Sequence, residues 1–396
     1  MTADGQRVVA LDGAEITRRV EALLPEIDGR ADEIAEARRL PRDLVDALKT
    51  AGVFRMSMPE AWGGSALPLP DQVRIVESLA YADPSVGWCV MIGSDSGFYS
   101  AFLDDAAARE LWTDIDDITA GWLFPGGQAE SVDGGYRVSG RWKFGSGCTH
   151  ADVMVAGFIV MNDNGAPVVG PDGMPVVRTA VARADRFEVI DTWHTTGLAG
   201  SGSNDYACRG LFVPVEHTFA LAEPVKRDGP LHAIPGGFLA NMQAVPLGLA
   251  RRAIDEAIAV VTDKIVLPEG VAMREVPRVR EAIADAQRQH RSAQAYANRS
   301  IEDAWTQLSS GAALSVDQRV DLILSRVEAF RMAQDVTAAM VRLVGTQAIY
   351  STSILDRLLR DAITINQHVA AGPLMLDAAG RLALGLELHG FVAAIV

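Results

Sequence analysis

From about residue 121 to residue 225 the chain strings together strand-like segments with no helix between them, and long helical stretches lie on either side. That order excludes a doubly wound parallel sheet, which needs a helix after nearly every strand. YRVSGRWKF shows the strand period. Tyr136, Val138, Trp142 and Phe144 fall on one side, and Arg137, Ser139, Arg141 and Lys143 on the other, as in a half-buried antiparallel strand. ADVMVAGFIVM is apolar throughout and predicts a strand covered on both faces. The flanks follow the helical period instead. LPRDLVDALKTAGVF puts Pro41 near a helix start, Leu44, Val45 and Leu48 on one face, and Gly52 at the stop. A second helix is predicted from a Ser315 cap to Val344. The expected fold is α+β, mostly α. It has an N-terminal helical domain over 1–120, a central antiparallel, barrel-like β-domain over 121–225, and a C-terminal four-helix bundle over 226–396.

Within the β-region, TWHTTGLAGSGSND (Thr192–Asp205) carries Gly197, Gly200 and Gly202. A phosphate-cradling glycine loop needs a helix after it, because the helix N-terminus supplies the aligned N–H groups. The residues next in the chain are YACRGLFVPV, rich in aromatic and β-branched side chains, which predicts a strand. The loop therefore reads as a strand-to-strand connection.

With 396 residues and a net charge of −15, the chain should repel nucleic acid and anionic membranes. No apolar signal core or membrane-length run is evident, so a cytoplasmic protein is expected. Cys89, Cys148 and Cys208 lack metal-ligand spacing, and so do the seven histidines; no metal is expected. Among the histidines, His368 stands out. It lies beside Asn366 and Gln367 in RDAITINQHVAAGP, where a helical stretch gives way to a glycine–proline break. Those polar neighbours in an apolar region suggest a cavity wall, with His368 as the best general acid or base. FGSGCTH (Phe144–His150) ends a strand with small residues, which permit close approach by a flat ligand. Ser146 can offer one hydrogen bond there. No GxSxG elbow surrounds it, which argues against a serine hydrolase.

Four strings in this order, LKTAGVFRMSMPEAWGGSALP, YRVSGRWKFGSGCTHADV, DTWHTTGLAGSGSNDYACRGLFVP and MVRLVGTQAIYSTSILDRLLRDA, resemble the acyl-CoA dehydrogenase fold over nearly the whole chain. The departures point to one branch. A dehydrogenase of acyl thioesters commonly carries a glutamate base just after the RDA string, where this chain has Gln367 and His368. The usual TEP-x-x-GS segment is replaced by GWLFPGGQAES. What remains is similar to the group D two-component flavin monooxygenases. That resemblance implies an oxygenase component fed by a separate flavin reductase, with reduced FAD (or FMN) as co-substrate, and a homotetramer with flavin contacts across subunits. Reduced flavin and O2 would form a C4a-hydroperoxide that hydroxylates an aromatic substrate.

The resemblance also implies roles. Ser146 would bond near flavin N5, with Gly147 beside it, and Phe144 would pack on the ring. Gly345, Thr346 and Gln347 would lie along the flavin phosphates. His368 would serve the peroxide or the substrate, and Trp88, Ser96 and Asn366 would face the substrate. Phenol hydroxylases of this group carry a histidine where this chain has Ser96, which favours an indole or a polycyclic natural-product intermediate over a simple phenolate. The same chemistry at nitrogen or sulfur is one alternative. An acyl-CoA dehydrogenase with an unusual base is another, and a scaffold that has lost its flavin is a third.

Overall fold

The computed structural model describes residues 11–171, 173–233, 236–266, 268 and 270–396; residues 1–10 of the expected N-terminal domain lie outside that set. The first part is helical: α1 (Gly13–Gly29), α2 (Ala31–Ala37), α3 (Arg42–Ala51), α4 (Leu69–Ala82), α5 (Pro84–Gly93), α6 (Ser96–Ser100) and α7 (Asp105–Leu111). Helix α3 follows Pro41 and stops at Gly52, whose φ of 89° is the left-handed cap expected of glycine. Helix α5 is capped by Asp83, whose Oδ1 accepts from the amides of Ser85 (2.8 Å) and Val86 (3.0 Å). Burial lifts the Asp83 pKa to about 6.

The sheet comes next: β1 (Thr119–Val132), β2 (Gly135–Gly145), β3 (Val153–Met161), β4 (Val177–Arg183), β5 (Glu188–Ile190), β6 (Asn204–Pro214) and β7 (Thr218–Phe219). Its hydrogen-bonded order is β5-β6-β2-β1-β3-β4-β7. Every pair is antiparallel except β1–β3, which is parallel, so the expected antiparallel sheet is mixed. In β2, Val138 and Trp142 are buried as the alternation predicts. The pattern breaks at Phe144, where φ is 59° and the side chain is 53% exposed. The β2–β6 register also shifts between Trp142 and Gly145.

Helices then return as α8 (Ala244–Asp263), α9 (Pro277–Ser309), α10 (Val316–Val344), α11 (Ile354–Ile365), α12 (Pro373–Ala383) and α13 (Gly390–Ile395). Helix α10 opens with a capping box between Ser315 and Gln318. It packs against α8, α9, α11 and α12 and so forms the centre of the bundle. No helix among the described residues is long and apolar enough to cross a membrane.

The glycine-rich loop joins β5 to β6, two antiparallel neighbours, as expected. Its glycines serve close packing. A Cβ on Gly197 would meet the Arg360 carbonyl oxygen on α11 at 2.1 Å, and one on Gly200 would meet Ile34 Cγ2 on α2 at 2.2 Å. Gly197→Ala should therefore cost about 1–3 kcal/mol of stability by overpacking. Gly380→Ala, in α12 with nothing within 4 Å of the added Cβ, should stabilise by about 0.5–1 kcal/mol. Urea unfolding of both variants checks the contrast, and equal effects would refute the packing explanation.

Candidate active site

A cavity of about 700 Å³ opens where the sheet meets the bundle, within the range of small-molecule sites. Helix α5 supplies its floor. Every residue from Pro84 to Gly93 is buried except Ile92, which lines the cavity together with Trp88. The sheet contributes Trp122 from β1, and Phe144 and Ser146 from the end of β2. The β5–β6 loop contributes Trp193, Leu198 and Ser203, and the end of α11 with the turn after it contributes Thr364, Gln367 and His368. Phe144 meets Trp122 and Trp193 edge-on, at ring-centroid distances of 6.0 and 6.3 Å. These three rings form an open aromatic wall. A phenylalanine in the left-handed region stores about 1–3 kcal/mol of backbone strain, and here that strain holds the ring at the cavity instead of in the sheet core.

Behind the rings runs a line of hydroxyls. Trp88 Nε1 donates to Ser146 Oγ at 2.9 Å. Ser146 Oγ lies 2.8 Å from Ser203 Oγ, and Ser203 Oγ lies 2.7 Å from Ser201 Oγ. Ser201 Oγ donates to the Leu198 carbonyl at 2.7 Å.

His368 joins the wall next to Trp88, with its ring edge-on to the indole at 5.3 Å. It caps the 3-10 turn Val369–Ala371, its Nδ1 accepting from the Ala370 amide at 3.2 Å. That bond places the proton of the neutral ring on Nε2. Burial, reinforced by the Arg326 guanidinium, lowers the His368 pKa to about 4. Arg326 is itself buried and donates to the carbonyls of Ala370 (3.0 Å) and Leu239 (3.2 Å). The ring is therefore neutral at neutral pH, with Nε2–H as a donor. No Asp, Glu, Lys or Arg lines the cavity among the described residues.

Residues 16–108 match the acyl-CoA dehydrogenase N-terminal domain, and residues 241–373 match the acyl-CoA dehydrogenase C-terminal domain. The chain is 31% identical over 377 residues to an indole-3-acetate monooxygenase of Pseudomonas putida, covering 94% of this chain and 95% of that relative. It is 26% identical over 388 residues to the oxygenase component of an FADH2-dependent resorcinol hydroxylase of Rhizobium sp. (strain MTP-10005), covering 91% of each. The solved structure of 3-HSA hydroxylase from Rhodococcus sp. RHA1 superposes with a TM-score of 0.86 at 26% identity, over 96% of this chain and 99% of that one. The chain belongs to the flavin-dependent monooxygenases of the acyl-CoA dehydrogenase fold.

A flavin of this family suits this lining. Three aromatic rings, one of them a strained, half-exposed phenylalanine, face one apolar space, and two serine hydroxyls and one imidazole N–H line it. Of the expected site residues, the structure brings His368, Ser146, Phe144 and Trp88 together. Gly147 sits just behind Ser146, with a φ of 75° that suits glycine.

Ser96 does not line the cavity. It is fully buried, and its hydroxyl is taken by the Asp117 carbonyl at 2.7 Å and Thr119 Oγ1 at 2.8 Å. Asn366 turns away toward Gln334 on α10, to which its amide donates, and Gln367 lines the wall in its place. Gly345, Thr346 and Gln347 are exposed at the end of α10 and do not reach the cavity of their own chain. The sequence reading missed Trp122, Trp193 and Ser203 as site residues. The signal available was aromatic placement, since GWLFPGG and TWHTTG each set a tryptophan beside turn residues.

The histidine geometry gives a direct check. In the flavin-free protein, the His368 ring nitrogens followed by NMR should titrate near 4, as its burial dictates, against ~6.5 for an ordinary histidine. The folded state holds the neutral ring, so this residue's contribution to stability is whole above ~6.5 and is lost as pH falls toward 4. A titration near 6.5 would remove the desolvated, donor-only assignment.

Proposed function

We propose that this chain is an oxygenase component that uses reduced FAD and O2 to hydroxylate an uncharged aromatic ring, such as an indole or a polycyclic intermediate. One observation carries the reading. Ser146 and His368 flank Trp88 on the wall of an aromatic-lined cavity that contains no carboxylate among the described residues. An acyl-CoA dehydrogenase needs a base to take a proton next to a carbonyl, and the His368 lone pair on Nδ1 is already committed to the Ala370 amide. An N–H donor suits the other chemistry, in which a developing negative oxygen must be stabilised away from water.

The bound flavin would supply oxygen activation. The protein's share is to hold and shield it. Phe144 would lie against the ring system, and Ser146 would bond near N5. His368 Nε2–H would donate to oxygen at the reacting edge, and Trp88 would fix both neighbours. The substrate would pack against Trp193, Ile92 and Ile363. A cavity wall without a cation offers no partner to a phenolate or carboxylate, which favours a neutral ring. FAD is preferred over FMN on the strength of the FADH2-dependent relative. A separate reductase must deliver the reduced flavin, as the place of this chain among oxygenase components requires. We further propose a homotetramer, in which the exposed Gly345–Gln347 segment and its neighbours Ile349 and Tyr350, 74% and 65% exposed, are covered by another copy and reach that copy's flavin.

His368→Ala should lower product formation roughly tenfold or more with the fold intact, measured with a generic flavin reductase, NADH and a panel of indoles. Unchanged yield would take His368 out of the reaction. Phe144→Gly should raise the melting temperature of the flavin-free protein, because it relieves the strained backbone, and should weaken flavin binding. A lower melting temperature with unaltered binding would refute the assigned role.

A further inference from the structure

Hydroxyl groups can turn, so a serine facing a ligand can ordinarily donate or accept. In this cavity the hydrogen positions are fixed from both ends. The Leu198 carbonyl can only accept, and Ser201 Oγ stands 2.7 Å from it, so the Ser201 hydrogen points there. Ser201 Oγ must then accept from Ser203, at 2.7 Å. Ser203 has spent its hydrogen, so it must accept from Ser146, at 2.8 Å. At the far end the Trp88 indole N–H can only donate, and it does so to Ser146 Oγ at 2.9 Å. The Leu198 carbonyl also accepts from Trp193 Nε1 at 2.9 Å and from the Ser201 amide at 3.0 Å, so what fixes the order is separation: reversing any link would set two oxygens 2.7–2.8 Å apart without a hydrogen between them. Ser146 and Ser203 are 8% and 4% exposed, and what they expose faces the cavity.

Both serine hydroxyls that line the cavity therefore present lone pairs to it and no hydrogen. We infer that the Trp88–Ser146–Ser203–Ser201–Leu198 chain sets the redox form of flavin that the cavity accepts. It makes Ser146 an acceptor for the N5–H of reduced flavin and an unsuitable neighbour for the bare N5 of oxidised flavin. Ser203 and Ser201 are positioning residues in this scheme: they act by fixing the direction of the Ser146 hydrogen. The inference rests on the proposed flavin site and adds to it the means of discrimination.

The test is the ratio of binding constants for reduced and oxidised FAD, measured by anaerobic equilibrium titration of the full-length protein. Wild type should bind the reduced form at least tenfold more tightly. In Ser203→Ala the Ser146 hydroxyl loses its acceptor and turns its hydrogen to the cavity, so the ratio should fall about tenfold, equivalent to about 30 mV in the two-electron potential of the bound flavin. Ser201→Ala should act in the same direction through a residue one step further away. Ser203→Thr keeps the hydroxyl and should restore the wild-type ratio. If both alanine variants bind with the wild-type ratio, the chain does not set redox preference, although the flavin site stands. If wild type binds neither form, the flavin site itself is wrong and the inference falls with it.

Discussion

A buried hydrogen bond of 2.6 Å, from the Leu198 amide to the Asp361 carboxylate, joins the two halves of the cavity wall. One partner belongs to the β5–β6 loop and the other to α11. Asp361 is 4% exposed, and burial raises its pKa to about 7. Burying a carboxyl group is costly unless it is hydrogen-bonded, so the bond and the close packing require each other. Arg360 adds a second link to the Thr196 carbonyl, and Gly197 admits the α11 backbone at a distance no side chain would allow. The same loop carries Trp193 and Ser203, and α11 ends three residues before His368. The docking of one loop on one helix thus sets the distance between the aromatic wall and the imidazole.

Set in a fold shared with dehydrogenases, the chemistry changes through few side chains. The polar groups that reach the space are hydroxyls, amide groups and one neutral imidazole, and Nδ1 of that imidazole is committed to a backbone amide. Such a wall can stabilise and shield a reactive oxygen species better than it can remove a proton from carbon. Arg326 contributes at a distance. A buried guanidinium bonded to carbonyls both orders the turn after His368 and disfavours protonation of the ring.

Much of the fold and part of the site are legible from residue order. The alternation in YRVSGRWKF, the Pro41 and Ser315 helix starts and the lack of a helix after the glycine-rich loop locate the elements, because each rests on local stereochemistry. His368 and Ser146 are also legible, as polar or small residues interrupting apolar stretches. The failures arise where local continuity breaks. Ser96 is placed facing the substrate by resemblance alone, but α5 ends at Gly93 and a new helix begins at Ser96, so Ser96 does not continue the helix that carries Trp88. Asn366 is the C-cap of α11, where the chain changes direction within one residue and the wall passes to Gln367. Trp122 lies beside a register irregularity in the β1–β3 pairing, which a strict strand period cannot foresee. The ordered hydroxyls escape notice because Ser146 and Ser203 are far apart in sequence and meet only through the β2–β6 pairing.

Helix α5 is buried on almost every side, against α4, α8, the β5–β6 loop and β1. A helix with no face for water cannot be stable in a partly assembled chain. Its neighbours range from α4 (Leu69–Ala82) to α8 (Ala244–Asp263), so its formation waits for segments more than a hundred residues away. The three textures of the sequence are therefore not three independent folding units, and assembly must be cooperative and slow relative to a chain of local contacts. A fragment ending before the sheet would expose this helix and aggregate, because its partners on β1, the β5–β6 loop and α8 would be missing.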